Sequence, residues 1–325
     1  MIIDVFCHHV SPALIEVIEK ARWARAGATP HKESPKRFAC PPQNADPEVR
    51  LAVMERHGIT VQALSLTMET LDGFNAAEAQ EICRRANTDN FALCKAYPDR
   101  FVNVCAISLL DVKGALSELD RCISELDCRA VTVATNQQGT GLDSPDYFPF
   151  YEKLVAHDLP MLLHPTNWKS YPLMDEETFM LMSRFGWPMD TTQAVWRLIF
   201  GGVLDRFPTL KIVMHHLGAM FPYFAGRIQF GLPRLRERLS RDLSEYWKNI
   251  YGDSALSGGP SEAYACGYAF FGPDRVLYGS DYPFGPEAGE TFVKANLAGL
   301  MSLKLSEENM KKVLGGNAQR LFKIK

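Results

Sequence analysis

Apolar residues come in short, nearly unbroken runs, and after most runs they return every three or four residues. The runs cover residues 2–6, 59–66, 101–107, 130–135, 160–164, 210–216, 250–254 and 276–280. A strand covered by helices on both faces has no solvent side, so it reads as a continuous hydrophobic run rather than an alternating one. Eight such runs alternating with helical stretches predict a (β/α)8 barrel.

The helical stretches carry start signals. Asp46-Pro47-Glu48 supplies an N-cap followed by proline in the first turn, which predicts a helix over 49–57 that Gly58 stops. Further helices are expected over 76–96, 113–126, 147–157, 193–205 (capped by Asp190-Thr191-Thr192), 287–300 and 306–314. No repeat, low-complexity tract or linker intervenes, so 1–325 reads as a single domain. Two segments are longer than a barrel needs. Residues 21–45, with Pro30, Pro35, Pro41, Pro42, Lys32, Lys36 and Arg37, read as an irregular insert after the first strand. Residues 165–189, with Trp168, Tyr171, Phe179, Phe185 and Trp187, follow the fifth. Both leave C-terminal strand ends, the rim where barrel sites are built, and are expected to form a lid and pocket walls.

Composition narrows the function. Lys+Arg total 35 against 38 Asp+Glu, a net charge of −3 with no long basic run, which argues against nucleic acid as a partner. Nothing approaches the roughly 18 uninterrupted apolar residues of a membrane span, and the start lacks a secretion signal, so a soluble cytoplasmic protein is expected. Eight cysteines (7, 40, 83, 94, 105, 122, 128 and 266) are scattered without a CxxC pair, the pattern of reduced core thiols.

The chemistry gathers at strand ends. On the first strand, Phe6 and His8 are two apart and face one cavity, while Cys7 and His9 face away. His164 ends the fifth run, His215-His216 the sixth, Asp253 the seventh and Asp281 the eighth. In a barrel these ends surround one mouth. His8, His164 and Asp281 together offer two imidazoles and a carboxylate with room for water, a ligand set suited to a catalytic divalent ion, most often zinc. His9 and His215, beside their partners, are expected to face away, and His31, His57 and His157 to be structural.

These residues carry a family resemblance over nearly the whole chain. The stretches 46–50, 58–65, 201–208, 221–228 and 279–284 resemble the amidohydrolase-related decarboxylases. The resemblance implies a distorted (β/α)8 TIM barrel, one metal, usually zinc, and non-oxidative loss of CO2 from a small unsaturated or aromatic carboxylic acid. It places the family's first-strand His-x-His on Phe6-Cys7-His8, so Phe6 stands where a ligand is expected. His164 and Asp281 fall on the other ligands and His216 on the catalytic histidine, in a turn, His216-Leu217-Gly218-Ala219, that has lost two of the family's glycines. Arg227 falls on an arginine that reaches into a neighbouring subunit to hold a substrate carboxylate, which implies a homodimer. Asp281 is assigned to proton transfer as well as metal, and Phe6 and Trp168 to the substrate pocket. With Phe6 in place, manganese, or a metal-free acid/base cluster walled by Phe6, is an alternative to zinc. A metal-dependent hydrolase and a degenerate ligand-binding barrel are the competing functions, because fold does not fix reaction.

Overall fold

The structure is a computed structural model that describes residues 1–26, 46–166 and 180–324. Eight parallel strands form one sheet in chain order: β1 (Ile3–His8), β2 (Val61–Ser65), β3 (Phe101–Ala106), β4 (Cys128–Ala134), β5 (Met161–His164), β6 (Ile212–Met214), β7 (Ile250–Asp253) and β8 (Val276–Leu277). Beyond β8 the chain returns to β1: Val5 N donates to Tyr278 O at 3.0 Å, and Cys7 bridges Tyr282 in parallel. The sheet thus closes into the expected barrel, and closure leaves no unpaired edge.

The longer helices are α1 (Pro12–Ala26), α2 (Pro47–Arg56), α3 (Ala76–Ala96), α4 (Val112–Glu125), α5 (Phe148–Ala156), α6 (Trp187–Phe200), α7 (Phe221–Gly231), α8 (Ser261–Phe271) and α9 (Glu290–Met301). Asp46 caps α2 as expected, its carboxylate accepting from Glu48 N at 2.9 Å. Asn75 and Glu78 form a reciprocal capping box on α3.

Four stretches differ from expectation. Helix α1 runs to residue 26, so the segment expected to be irregular over 21–45 begins inside a helix, and residues 27–45 lie outside the described residues. Helix α6 starts at Trp187 with proline in its first turn, because Asp190 is turned inward and bonds Asn136, Thr166 N and the Thr135 hydroxyl instead of capping. Helices α7 and α8 escaped the sequence reading because their aromatic and glycine content blurs the helical period.

Inside the barrel, Ile3, Val5, Ala63, Val104, Ala130, Leu162, Val213 and Leu277 pack into one buried cluster. The opposite faces of the strands, with Cys7, Leu64, Cys105, Met161, Leu163, Ile212 and Met214, pack in the larger cluster that includes residues of the surrounding helices. In β1 the pairing with β2 slips between Asp4 and Cys7, and this bulge re-aims the strand end so that Phe6 and His8 follow Val5 on the inside.

Candidate active site

The end of β1 places Phe6 at the centre of the imidazoles. Its ring lies 4.6 Å from His8, 5.7 Å from His164 and 5.8 Å from His216 between centroids, and it stacks on His215 at 3.4 Å. His8 and His164 meet edge to face at 5.1 Å. His9 points away, its Nδ1 2.7 Å from Asn90 Oδ1, as the strand alternation requires.

His215 corrects the expectation that it faces away. Val213 lies inside the barrel, so alternation sends His215 inward too, and its Nδ1 bonds Asp253 Oδ2. Its neighbour still reaches the mouth because the strand stops at Met214 and the backbone turns left-handed, with φ 58° at His216 and 50° at Leu217. Asp281 is left-handed as well, at φ 64°. Non-glycine residues in this region cost energy and collect at functional sites.

Hydrogen bonds fix the tautomers. Ser65 Oγ donates to Cys7 O at 3.1 Å, so at 3.2 Å from His8 Nδ1 it accepts. His164 Nδ1 donates to Pro165 O at 2.8 Å. In the neutral rings both therefore carry their lone pair on Nε2. His8 Nε2 is buried and makes no hydrogen bond among the described residues, and Asp281 Oδ1 stands 3.3 Å from it. Burial, reinforced by the neighbouring imidazoles, holds His164 and His215 well below the usual histidine range, so both are neutral near pH 7. Burial pushes the Asp253 carboxyl up to about 7.

This donor chemistry fits a divalent cation: two lone-pair nitrogens, one of them buried without a hydrogen bond, beside a carboxylate. Closure around a common point is less complete. Among the described residues no group of three or more His, Cys, Asp or Glu side chains is disposed to hold an ion as it stands. His8 and Asp281 are the pair in contact, and Phe6 fills the place beside them.

A cavity of about 600 Å³ opens over these residues, lined by Phe6, His164, Arg184, Trp187, His216 and Asp281, with Phe284 and Phe292 among its further walls. It therefore gathers Phe6, His164, His216 and Asp281 from the sequence-predicted set, with His8 behind them. Arg227 is not brought there. It is exposed on α7, a helix that also exposes Tyr223 at 80% and Phe230 at 89%. Trp168 lies outside the described residues. Sequence reasoning missed His215, although Val213 two positions earlier carried the signal, and Arg184, which had none.

A family model described as amidohydrolase matches residues 4–324. The 2-amino-3-carboxymuconate-6-semialdehyde decarboxylase of Dictyostelium discoideum is 30% identical over 84% of this chain and 75% of its own length. The gamma-resorcylate decarboxylase of a Rhizobium species is 29% identical over 85% and 87%. Among solved structures, the 5-carboxyvanillate decarboxylase of Novosphingobium aromaticivorans, complexed with manganese and 4-hydroxy-3-methoxy-5-nitrobenzoic acid, superposes with a TM-score of 0.83. It is 25% identical and covers 100% of this chain and 96% of that one. These relatives and structural neighbours are carboxylic acid decarboxylases of one superfamily.

Proposed function

The chain belongs to the amidohydrolase family, and from that premise we propose that it is a non-oxidative, metal-dependent decarboxylase of a small unsaturated or aromatic carboxylic acid. The observation that carries the reading is the buried His8 Nε2, without a hydrogen bond and 3.3 Å from Asp281, beneath the cavity that His216 lines. His8, His164 and Asp281 would hold one divalent cation, zinc or manganese, in a single domain spanning residues 1–325. When bound, that cation supplies positive charge against which a substrate oxygen is polarised.

The chain's own residues do the rest. In the reaction the bond to the carboxylate carbon breaks, its electron pair remains on the substrate carbon, a proton is added there, and CO2 leaves neutral. The His216 imidazole, which lines the cavity, holds that proton, a general acid/base task that a ring with two nitrogens suits. The Asp281 carboxylate, beside His8, assists the transfer. Phe6 and Trp187 form apolar walls that keep water from the reacting carbon. Arg227 would hold a substrate carboxylate in the neighbouring copy of a homodimer, a reading supported by its place among exposed Tyr223 and Phe230. No helix among the described residues is long and apolar enough to cross a membrane, and the scattered reduced cysteines support a cytoplasmic setting.

Incubation with a panel of benzoic and unsaturated acids, read by mass analysis of product and trapped CO2, tests the reaction. Loss of CO2 is expected. A product heavier by water with no CO2 would make the protein a hydrolase, and binding without turnover a ligand-binding barrel.

A further inference from the structure

Asp190 is a buried carboxylate that does not line the cavity and is not in the ligand set. It projects from the first turn of α6 and accepts from Asn136 Nδ2 at 3.1 Å, Thr166 N at 3.2 Å, the Thr166 hydroxyl at 3.4 Å and the Thr135 hydroxyl. Asn136 Oδ1 takes the Gly139 N–H at 2.9 Å, which leaves the amide nitrogen for Asp190. Burial pushes the Asp190 carboxyl up, and these donors oppose the rise. One of them leads to the site. The Thr166 N–H and the Pro165 carbonyl are opposite ends of a single planar peptide group. The carbonyl end accepts from His164 Nδ1 at 2.8 Å, while the N–H end donates to Asp190. The proline ring fixes φ at Pro165, so the link is stiff. Thr135 N also donates to His164 O at 3.0 Å, which ties the same histidine to the strand end that Asp190 grips.

We propose that Asp190 is a positioning residue for His164, acting through the Pro165–Thr166 peptide to hold the imidazole in the tautomer that keeps its lone pair on Nε2. This rests on His164 as a cation ligand in the reading above. A carboxylate at the N–H end polarises the peptide and makes the Pro165 carbonyl a better acceptor. The stronger acceptor tightens the His164 Nδ1–H bond that fixes the ring, and it makes Nε2 a better electron-pair donor. Histidines that bind metals ordinarily give their second N–H to a carboxylate or a backbone carbonyl. Here a carbonyl takes that N–H and a carboxylate stands behind it.

Two readouts on the full chain test this: the His164 tautomer, by two-bond proton–nitrogen NMR of the metal-stripped protein, and zinc affinity, by competition with a chelator. Wild type should carry the proton on Nδ1 alone. Asp190→Asn, nearly isosteric and expected to fold, should show both tautomers and bind zinc about 10–100-fold more weakly. Thr135→Val removes one bond to Asp190 but spares the peptide link, so it should lower the melting temperature and move neither readout. A His164 proton that stays on Nδ1 in Asp190→Asn, or a zinc affinity that this variant leaves unchanged, would overturn the proposal. An affinity that falls equally in Thr135→Val would assign the effect to the clamp between strand ends and overturn it as well. Wild type that binds no zinc, while its His164 tautomer still depends on Asp190, would refute only the cation reading.

Discussion

The two sides of β1 carry polar clusters of opposite character. Behind the strand, Asp4 accepts from Phe6 N at 3.3 Å, Ser280 N at 3.0 Å, Gln62 Nε2 at 3.1 Å and Ser280 Oγ at 2.5 Å. Gln62 in turn accepts from Arg50 Nη1 at 3.1 Å, and Arg50 donates to His8 O at 2.6 Å while stacking on Tyr282. In front, His8 Nε2 and His216 Nδ1 are buried without a hydrogen bond among the described residues. Buried polar groups are normally paired, and leaving one unpaired costs about 1–3 kcal/mol. The rear cluster is framework that locks β1 to β2, α2 and the segment after β8. The front cluster leaves these atoms open beside the cavity, where the proposed ion and substrate would complete them.

That contrast can be broken by substitution. The largest effect is expected from His216→Asn, which should lower CO2 release by about 10²–10⁴-fold in a steady-state assay while the melting temperature stays put. Behind the strand, Asp4→Ala strands the Gln62 amide and two Ser280 donors, and denaturant titration should show a loss of about 3 kcal/mol. Metal retention should be unchanged in whatever fraction remains folded.

A smaller effect sharpens the front cluster. Phe6→His should tighten metal retention about tenfold, or about 1.4 kcal/mol, as read by competition with a chelator. An unchanged affinity would mean that Phe6 does not stand in a ligand's place. The smallest effect lies far from both clusters. Arg56 and His57 hold the Glu290 carboxylate down to about 2 from 4.5 in the unfolded chain. Its contribution is therefore present above pH 4.5 and is lost as pH falls toward 2. Arg56 is half exposed, so Glu290→Gln should cost about 1 kcal/mol or less at pH 7, and nothing at pH 2.

The sequence showed the barrel well and the site unevenly, for physical reasons. The eight strands were legible because burial on both faces writes a continuous apolar run, α2 because its Asp46 cap is local, and α3 because its helical pattern is long. Helix α6 was misplaced because Asp190 is spent on partners as far back as Thr135, which no local pattern reveals. His8, His164, His216 and Asp281 were legible as polar residues ending apolar runs. His215 was misjudged because the left-handed turn at His216 brings two consecutive side chains to one site. Arg184 gave no signal, since an arginine in an irregular stretch between strands reads as solvated until the fold turns it toward the mouth.

The central claim is that His8, His164 and Asp281 at the front of β1 are the ligands of a divalent cation. Elemental analysis of the wild-type protein and of His8→Ala, purified without added metal or chelator, tests it directly. About one equivalent of zinc or manganese is expected in the wild type and a loss of most of it in His8→Ala, since three protein ligands still make an ordinary catalytic site and two do not. Less than about a tenth of an equivalent in the wild type, with CO2 release unaffected by chelator, would contradict the account.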